Sequence, residues 1–288
     1  MPEVVVISGK GGTGKTSLTG AFAHLAQDLI ICDLDVDAPD LHILLSPAKR
    51  STHDFYSGNE ALIDGSRCKK CGTCLEMCRY NAVRTGYDQY LVDPMRCEGC
   101  RVCVDFCPEQ AIAFPARHCG QWFVSSTRFG TMVHARLFPG AENSGRLVTL
   151  LRNRAREASK EEDSSLILSD GAPGIGCPVI SSLSGTDLAA IVTEPTLSGL
   201  HDLKRVADLC THFRVKVAVI INKCNLNPEQ ASGIQEYCRD KGFYLAGSIP
   251  HDPEVTMSMV DKKVITETAD SRIAKTVRNT WENILSIL

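Results

Sequence analysis

No apolar run in these 288 residues approaches the ~18 to 20 needed to cross a bilayer, so the chain is expected to be soluble or at most peripheral. Val4-Val5-Val6-Ile7 stops at Ser8, which predicts a short buried strand and not a secretory signal. Acidic and basic tails are missing too, and the formal net charge is -3. Nothing electrostatic points to nucleic acid. Together these absences imply a cytoplasmic protein. The remainder is ordinary for a globular chain, 43% hydrophobic and 23% charged, with length for one large α/β domain plus a small insert. Cysteine is the exception. Fourteen of them in a long chain with no signal point to metal and not to disulfides.

Eight of the fourteen lie between Cys68 and Cys107, a stretch without histidine. Within it Cys68, Cys71, Cys74 and Cys78 recur at a constant offset of 29 residues as Cys97, Cys100, Cys103 and Cys107. The text after each set also repeats, Asn81-Ala82-Val83 against Gln110-Ala111-Ile112. Zinc sites favour paired C-x-x-C knuckles, often with histidine; a C-x2-C-x2-C-x3-C run has the spacing of iron–sulfur ligands.

Elsewhere short apolar strands alternate with amphipathic helices, the pattern of a doubly wound, mostly parallel sheet covered on both faces. Strands are expected at Glu3 to Ser8, Leu29 to Cys32, Leu166 to Ser169, Leu188 to Thr193, Val215 to Ile221 and Phe243 to Gly247. Helices are expected at Lys15 to Ala26, Gly145 to Ala158, Gly199 to His212, Pro228 to Lys241 and Asp270 to Leu288. The first strand–helix pair precedes the cysteines and most of the others follow them. Residues 61–115 are therefore read as an α+β insert between two parts of one domain, 1–60 and 116–288.

Gly9-Lys10-Gly11-Gly12-Thr13-Gly14-Lys15-Thr16 fits G-x-x-x-x-G-K-[ST] between a predicted strand and a predicted helix. In such a loop backbone N–H groups converge on phosphates at a helix N-terminus. Lys15 would neutralise the β- and γ-phosphates, Thr16 would offer its hydroxyl to Mg²⁺, and Ser17 continues the loop. Lys10 stands where most such loops carry no lysine. Here the chain resembles the deviant Walker A ATPases: MinD, ParA, the nitrogenase iron protein and the Mrp-type iron–sulfur carriers. The resemblance implies an ATP-dependent dimer, homodimeric or with a paralogue, in which Lys10 reaches the partner's nucleotide.

By the same resemblance Asp33-Leu34-Asp35 looks like the family's D-x-D segment, with Asp35 near the attacking water. Asp170-Gly171-Ala172-Pro173-Gly174 looks like a Walker B strand end running into a switch loop, with Asp170 on Mg²⁺ and Gly174 near the γ-phosphate. A strand-ending Asp is also a common turn or helix cap. Asn222 is similar to the family's adenine-contacting residue, and Ile249-Pro250-His251-Asp252 to its second base-edge loop.

The cysteine runs resemble two-cluster bacterial ferredoxins, in which the fourth cysteine ligates the other cluster. This implies one 4Fe-4S cluster on Cys68, Cys71, Cys74 and Cys107, and a second on Cys97, Cys100, Cys103 and Cys78. Arg79 departs from the family's proline after the fourth cysteine. Of the other six cysteines, Cys177 has the offset from Asp170 of a cluster-binding switch-loop cysteine, with Cys119 as a weaker companion.

The whole chain looks like a MinD-superfamily ATPase with an inserted ferredoxin domain, of the kind labelled cobyrinic acid a,c-diamide synthase-like. Residues 117–150, including Glu142-Asn143-Ser144-Gly145-Arg146, are expected to pack on the insert without chemistry. The leading expectation is an ATP-hydrolysing dimer, with ATP or ADP and Mg, that gates electron transfer through two clusters to a redox partner. Two alternatives stand beside it: an iron–sulfur or metallocofactor assembly carrier acting on a cluster acceptor, and a MinD-like positioning ATPase. For the last, Val277, Trp281, Ile284, Leu285 and Leu288 form an apolar face that suits either a membrane or the sheet.

Overall fold

The computed structural model describes residues 1–141, 144–268 and 271–288. Glu142 and Asn143 of the segment above, and Asp270, where the last helix was expected to start, lie outside the described residues. The chain begins with β1 (Glu3–Ser8), α1 (Lys15–Leu25), β2 (Leu29–Asp33), α2 (Leu41–Leu45) and β3 (Ala48–Asn59). The cysteine-rich stretch gives β4 (Leu62–Ile63), α3 (Thr73–Met77), β5 (Val83–Thr85), β6 (Tyr90–Val92), α4 (Val102–Asp105) and β7 (Ile112–Ala113). Then come β8 (Ala116–Ser126), β9 (Thr131–Leu137), α5 (Ser144–Glu161), β10 (Leu166–Pro173), α6 (Cys177–Leu183) and β11 (Leu188–Thr193). The remainder is α7 (Leu197–His212), β12 (Lys216–Asn222), α8 (Pro228–Lys241), β13 (Tyr244–Ile249), α9 (Pro253–Val260) and α10 (Arg272–Ser286).

The main sheet has the order β13-β12-β11-β1-β10-β2-β9-β8-β3. Every neighbour pair from β13 to β9 is parallel. β1 and β11 are buried along their whole length, which is why they read as unbroken apolar runs instead of alternating ones. Their successive side chains still serve opposite faces. Val4 and Val6 join one core, with Phe22, Val277 and Trp281. Val5 and Ile7 join the other, with Leu203, Val206 and Ile234. Phe22 of α1 stacks on Trp281 of α10 at 5.0 Å between ring centroids. Most of the apolar face of α10, weighed above for a membrane, lies in that core: Val277, Trp281 and Ile284 are buried and Leu288 packs against it, while Leu285 is exposed.

Several expectations change. Residues 117–150 do more than pack on an insert, because they supply β8 and β9 to the main sheet, and β9 pairs with β2 from Ile30↔Thr131 to Cys32↔Val133. A buried His134 in the middle of β9 interrupts the apolar run that would have marked it. Asp170 does not end its strand, since β10 continues to Pro173. Short helices α2, α6 and α9 carry too few turns to show a helical period.

The chain divides into two compact units. One comprises Met1–His53, Trp122–Arg136 and Ser144–Leu288, and the other Asp54–Gln121 and Leu137–Asn143. The second unit repeats itself in backbone as well as in sequence. Positive φ occurs at Lys70, Gly72 and Asn81, and again 29 residues on at Gly99, Arg101 and Gln110. Asp64 accepts from the N–H groups of Ser66, Arg67 and Cys68, as Asp93 does from Met95, Arg96 and Cys97. The strands exchange partners between repeats. β4, at the start of the first repeat, pairs with β7 at the end of the second, while β5 pairs with β6.

Candidate nucleotide site and cysteine module

In open parallel sheets ligands bind beyond the carboxyl ends of the strands, where the connections diverge. β1 lies between β10 and β11, and the glycine-rich loop leaves its carboxyl end. Gly14 adopts φ 89° at the N-cap of α1, a conformation that a side chain would strain. Gly9 is fixed by crowding instead, because a Cβ there would come within 2.3 Å of Asp202 Cβ. No side chain caps α1, so its first N–H groups remain available for an anion. The loop opens on a cleft of about 640 Å³ lined by Gly11, Gly12, Thr13, Gly14, Lys15, Thr16, Ser17, Asp35 and Pro173, with Ile43, Leu44 and Met259 on an apolar wall.

The charged groups at its floor converge from three segments. Lys15 Nζ lies 3.1 Å from Asp35 Oδ2 and 3.3 Å from Asp170 Oδ1. Thr16 donates its hydroxyl to Asp170 Oδ2 at 2.7 Å, and Thr19 donates to Asp170 Oδ1 at 3.0 Å. Burial alone would lower the pKa of Lys15, but the charges of Asp170 and Asp35 more than offset it and hold the ammonium above its ordinary value. Asp35 is raised by burial, against the pull of Lys15. Asp33 lies behind them, 1% exposed. Burial and then the Asp170 charge push it well above the usual carboxylate range. Its Oδ1 accepts the Asp35 N–H, and its Oδ2 has no partner. The buried Thr13 hydroxyl also lacks one.

Lys10, the second lysine of the loop, is bound within its own chain. Its Nζ is 3.1 Å from Glu194 Oε2, while Lys223 holds the other carboxylate oxygen and also donates to Gly12 O at 3.1 Å. Burial would raise Glu194, but Lys223 and Lys10 bring it below its ordinary pKa. Asn222 donates Nδ2–H to Thr13 O at 2.7 Å and accepts the Lys223 N–H, so its amide buttresses the loop. Neither Asn222 nor Pro250 is in the cleft lining. Gly174, at φ 94°, donates its N–H to Ser8 O at 2.8 Å. Sequence reasoning missed Thr19 and Glu194. The first sits one helical turn after Lys15, and the second just beyond β11, so the signal for both was position alone.

With this geometry in place, the sequence pattern of the CobQ/CobB/MinD/ParA nucleotide-binding domain (CbiA) matches residues 4–265. The chain belongs to that family. Among similar proteins are MJ0578 of Methanocaldococcus jannaschii, 28% identical over 98% of this chain and 96% of the relative, and the septum site-determining protein MinD of Bacillus subtilis. The latter is 23% identical over 98% of this chain and 88% of its own length. Among solved structures, the cell division ATPase MinD of Pyrococcus furiosus matches with a TM-score of 0.58 and 16% identity over 100% of this chain and 99% of its own. MinD of Pyrococcus horikoshii, solved with Mg-ADP, gives 0.59 and 15% over 99% and 96%. The mostly parallel P-loop sheet is thus a MinD-like fold, and an ATPase site suits this family member.

The cysteine unit is a second constellation. Cys68, Cys71, Cys74 and Cys107 line one cavity. The β4–β7 pairing explains this, since it brings the end of the second repeat beside the start of the first. The Cys103 thiol is pushed up to about 11 by burial and then by the negative charge Cys97, Cys100, Cys74 and Cys78 would carry. The fourth cysteine of each run accepts a backbone N–H at 3.3 Å, Cys78 from Ala82 and Cys107 from Ala111. Among the described residues, no three His, Cys, Asp or Glu side chains converge enough to hold a single metal ion.

Cys119 is buried, and its thiol donates to Ser57 O at 3.2 Å. Such a thiol is an inert structural one. Cys177 is exposed, but it is the first residue of α6 and not part of a loop. Among the described residues no helix is long and apolar enough to cross a membrane.

Proposed function

We propose that this protein is an ATP-driven switch of the MinD/ParA kind, which binds Mg-ATP in the P-loop cleft and hydrolyses it to ADP and phosphate. The observation that carries this reading is the convergence of Lys15, Thr16, Asp35 and Asp170 beneath an uncapped helix N-terminus. The residues fit the ligand. The unpartnered Thr13 hydroxyl and the free N–H groups of α1 suit phosphate oxygens, and the Thr16–Asp170 pair presents adjacent oxygens to a hard cation. A magnesium ion there would neutralise charge on the β- and γ-phosphates. Lys15 turns from its two carboxylates to the phosphates, and Asp35, so released, orients the attacking water. Lys10 leaves Glu194 to reach the nucleotide of a second copy or of a paralogue, which makes hydrolysis depend on dimerisation. Asn222 supports the loop from beneath, and Pro250 borders the base. Phosphate release, measured against enzyme concentration, tests the reading. Turnover that rises more than in proportion and disappears in Lys15→Ala supports it; turnover equal in the variant refutes it.

A second reading concerns residues 61–115, placed between the two ATPase segments 1–60 and 116–288. The eight cysteines hold two 4Fe-4S clusters, one on Cys68, Cys71, Cys74 and Cys107, the other on Cys97, Cys100, Cys103 and Cys78. The shared cavity of the first set favours this assignment. A cubane takes its four thiolates at separate corners, so it does not demand the tight convergence that a single ion does. Such clusters supply one-electron transfer. Nucleotide binding would then gate exchange with a redox partner; at Cys78 burial raises the thiol, but the backbone N–H groups of Val83 and Ala82 more than offset it and bring the group below its ordinary pKa. Iron and acid-labile sulfide in anaerobically prepared protein test this; their absence refutes it.

A further inference from the structure

The two cysteine loops are equivalent in backbone and unlike in charge. Cys68-Lys69-Lys70-Cys71 corresponds, 29 residues on, to Cys97-Glu98-Gly99-Cys100. Lys70 and Gly99 share the left-handed conformation, so the loops present the same positions to the surface. Each opens to solvent at its second cysteine, and Cys71 and Cys100 are the only exposed members of the eight. Beside Cys71 stand two lysines. Lys69 reaches Glu109 at 2.9 Å yet keeps 73% of its side chain exposed, and Lys70 is exposed with no ion pair among the described residues. Arg67, also exposed, adds a third cation and leans on Glu109 O at 3.4 Å. Around Cys100 the two exposed arginines are each paired to a carboxylate, Arg96 to Asp93 at 3.7 Å and Arg101 to Asp105 at 3.0 Å, while Glu98 is exposed and without an ion pair among the described residues. Cations are easily spared in a loop whose fold is set by Asp64 and by left-handed backbone. Cations without a carboxylate partner among the described residues, Arg67 and Lys70, stand at the Cys71 corner and not at its twin, and the fold does not require that difference.

We propose that the Arg67-Lys69-Lys70 edge beside Cys71 is the docking face for an acidic one-electron-carrier protein, and that the Glu98 edge beside Cys100 is not. The proposal rests on the iron–sulfur reading of the same cysteines. Charge of one sign at the rim of an interface acts chiefly on encounter and on salt dependence. The face therefore attracts a carrier of opposite charge to the corner where Cys71 opens to solvent.

The test uses full-length protein prepared anaerobically, with iron and sulfide quantified in every sample, and a small acidic ferredoxin as the probe. Binding is measured at low and high ionic strength for the wild type, K69E/K70E and Glu98→Gln. The expected result is a wild-type affinity that falls with salt, a loss on the order of tenfold or more in K69E/K70E with a flatter salt dependence, and no change in Glu98→Gln. Iron-loaded K69E/K70E that binds as tightly as the wild type overturns the docking face alone. So does an iron-loaded wild type that does not bind the probe. Protein without iron overturns the cluster reading, and the docking face falls with it.

Discussion

His134 gives the pH dependence of this protein a calculable component. It is buried in β9, with Nε2 2.8 Å from Ser125 Oγ and the Phe123 ring at 5.1 Å. Burial, and then the charges of His42 and Lys49, bring its pKa from 6.5 down to about 4. A group depressed in this way is neutral in the folded state over a range where the unfolded chain takes up a proton. Stability is therefore full above the unfolded value and falls as pH drops from about 6.5 toward about 4. With these two values linkage gives a loss of roughly 2 kcal/mol by about pH 5, and roughly 3 by about pH 4. His134→Gln keeps a hydrogen-bonding partner for Ser125 and removes the titration. Denaturant unfolding of both proteins in metal-free buffer, followed as the difference between them, cancels the carboxylates they share. The difference should shift in favour of the variant by about 2 kcal/mol between pH 7 and about pH 5. Parallel profiles would refute the reasoning and mean that the imidazole is protonated inside the fold.

Other outcomes follow from the same geometry. Arg152 and Glu3 form a buried pair at 2.7 Å, and Arg152 also donates to Ser181 O and Ser184 O. Arg152→Met leaves a buried carboxylate with only Arg156, and a cost of about 3 to 5 kcal/mol is expected in denaturant unfolding. Gly9→Ala places a Cβ 2.3 Å from Asp202 Cβ; nucleotide binding should fall by at least about tenfold in equilibrium titration as the loop shifts. Glu194→Gln removes the carboxylate that pairs with Lys10 and Lys223. It should lower the ATP concentration needed for dimerisation in sedimentation runs, and an unchanged requirement would count against Lys10 being held back by that pair.

The P-loop, the acidic segments and the parallel sheet were legible in the sequence because each rests on local patterning. β1 and α1 are a strand and a helix joined by glycines whose spacing alone specifies the turn. The 29-residue cysteine repeat was equally plain, and the matching left-handed residues show that the repeat governs backbone as well as composition. β8 and β9 were not legible. Their burial comes from neighbours distant in sequence, which leaves a histidine and several polar residues in the strands. The apolar face of α10 was visible, but what covers it was not.

The sequence by itself determined the phosphate-binding loop, the number and grouping of the cysteines, and the alternation that builds the sheet. These depend on residues close together along the chain. Only the tertiary structure decided that Lys15 faces both Asp35 and Asp170 and that Glu194 ties Lys10 to Lys223, while the shared cavity of Cys68 and Cys107 agrees with the grouping that the ferredoxin resemblance implied. Each of those joins segments far apart in sequence, and strand pairing, not local propensity, sets their separation.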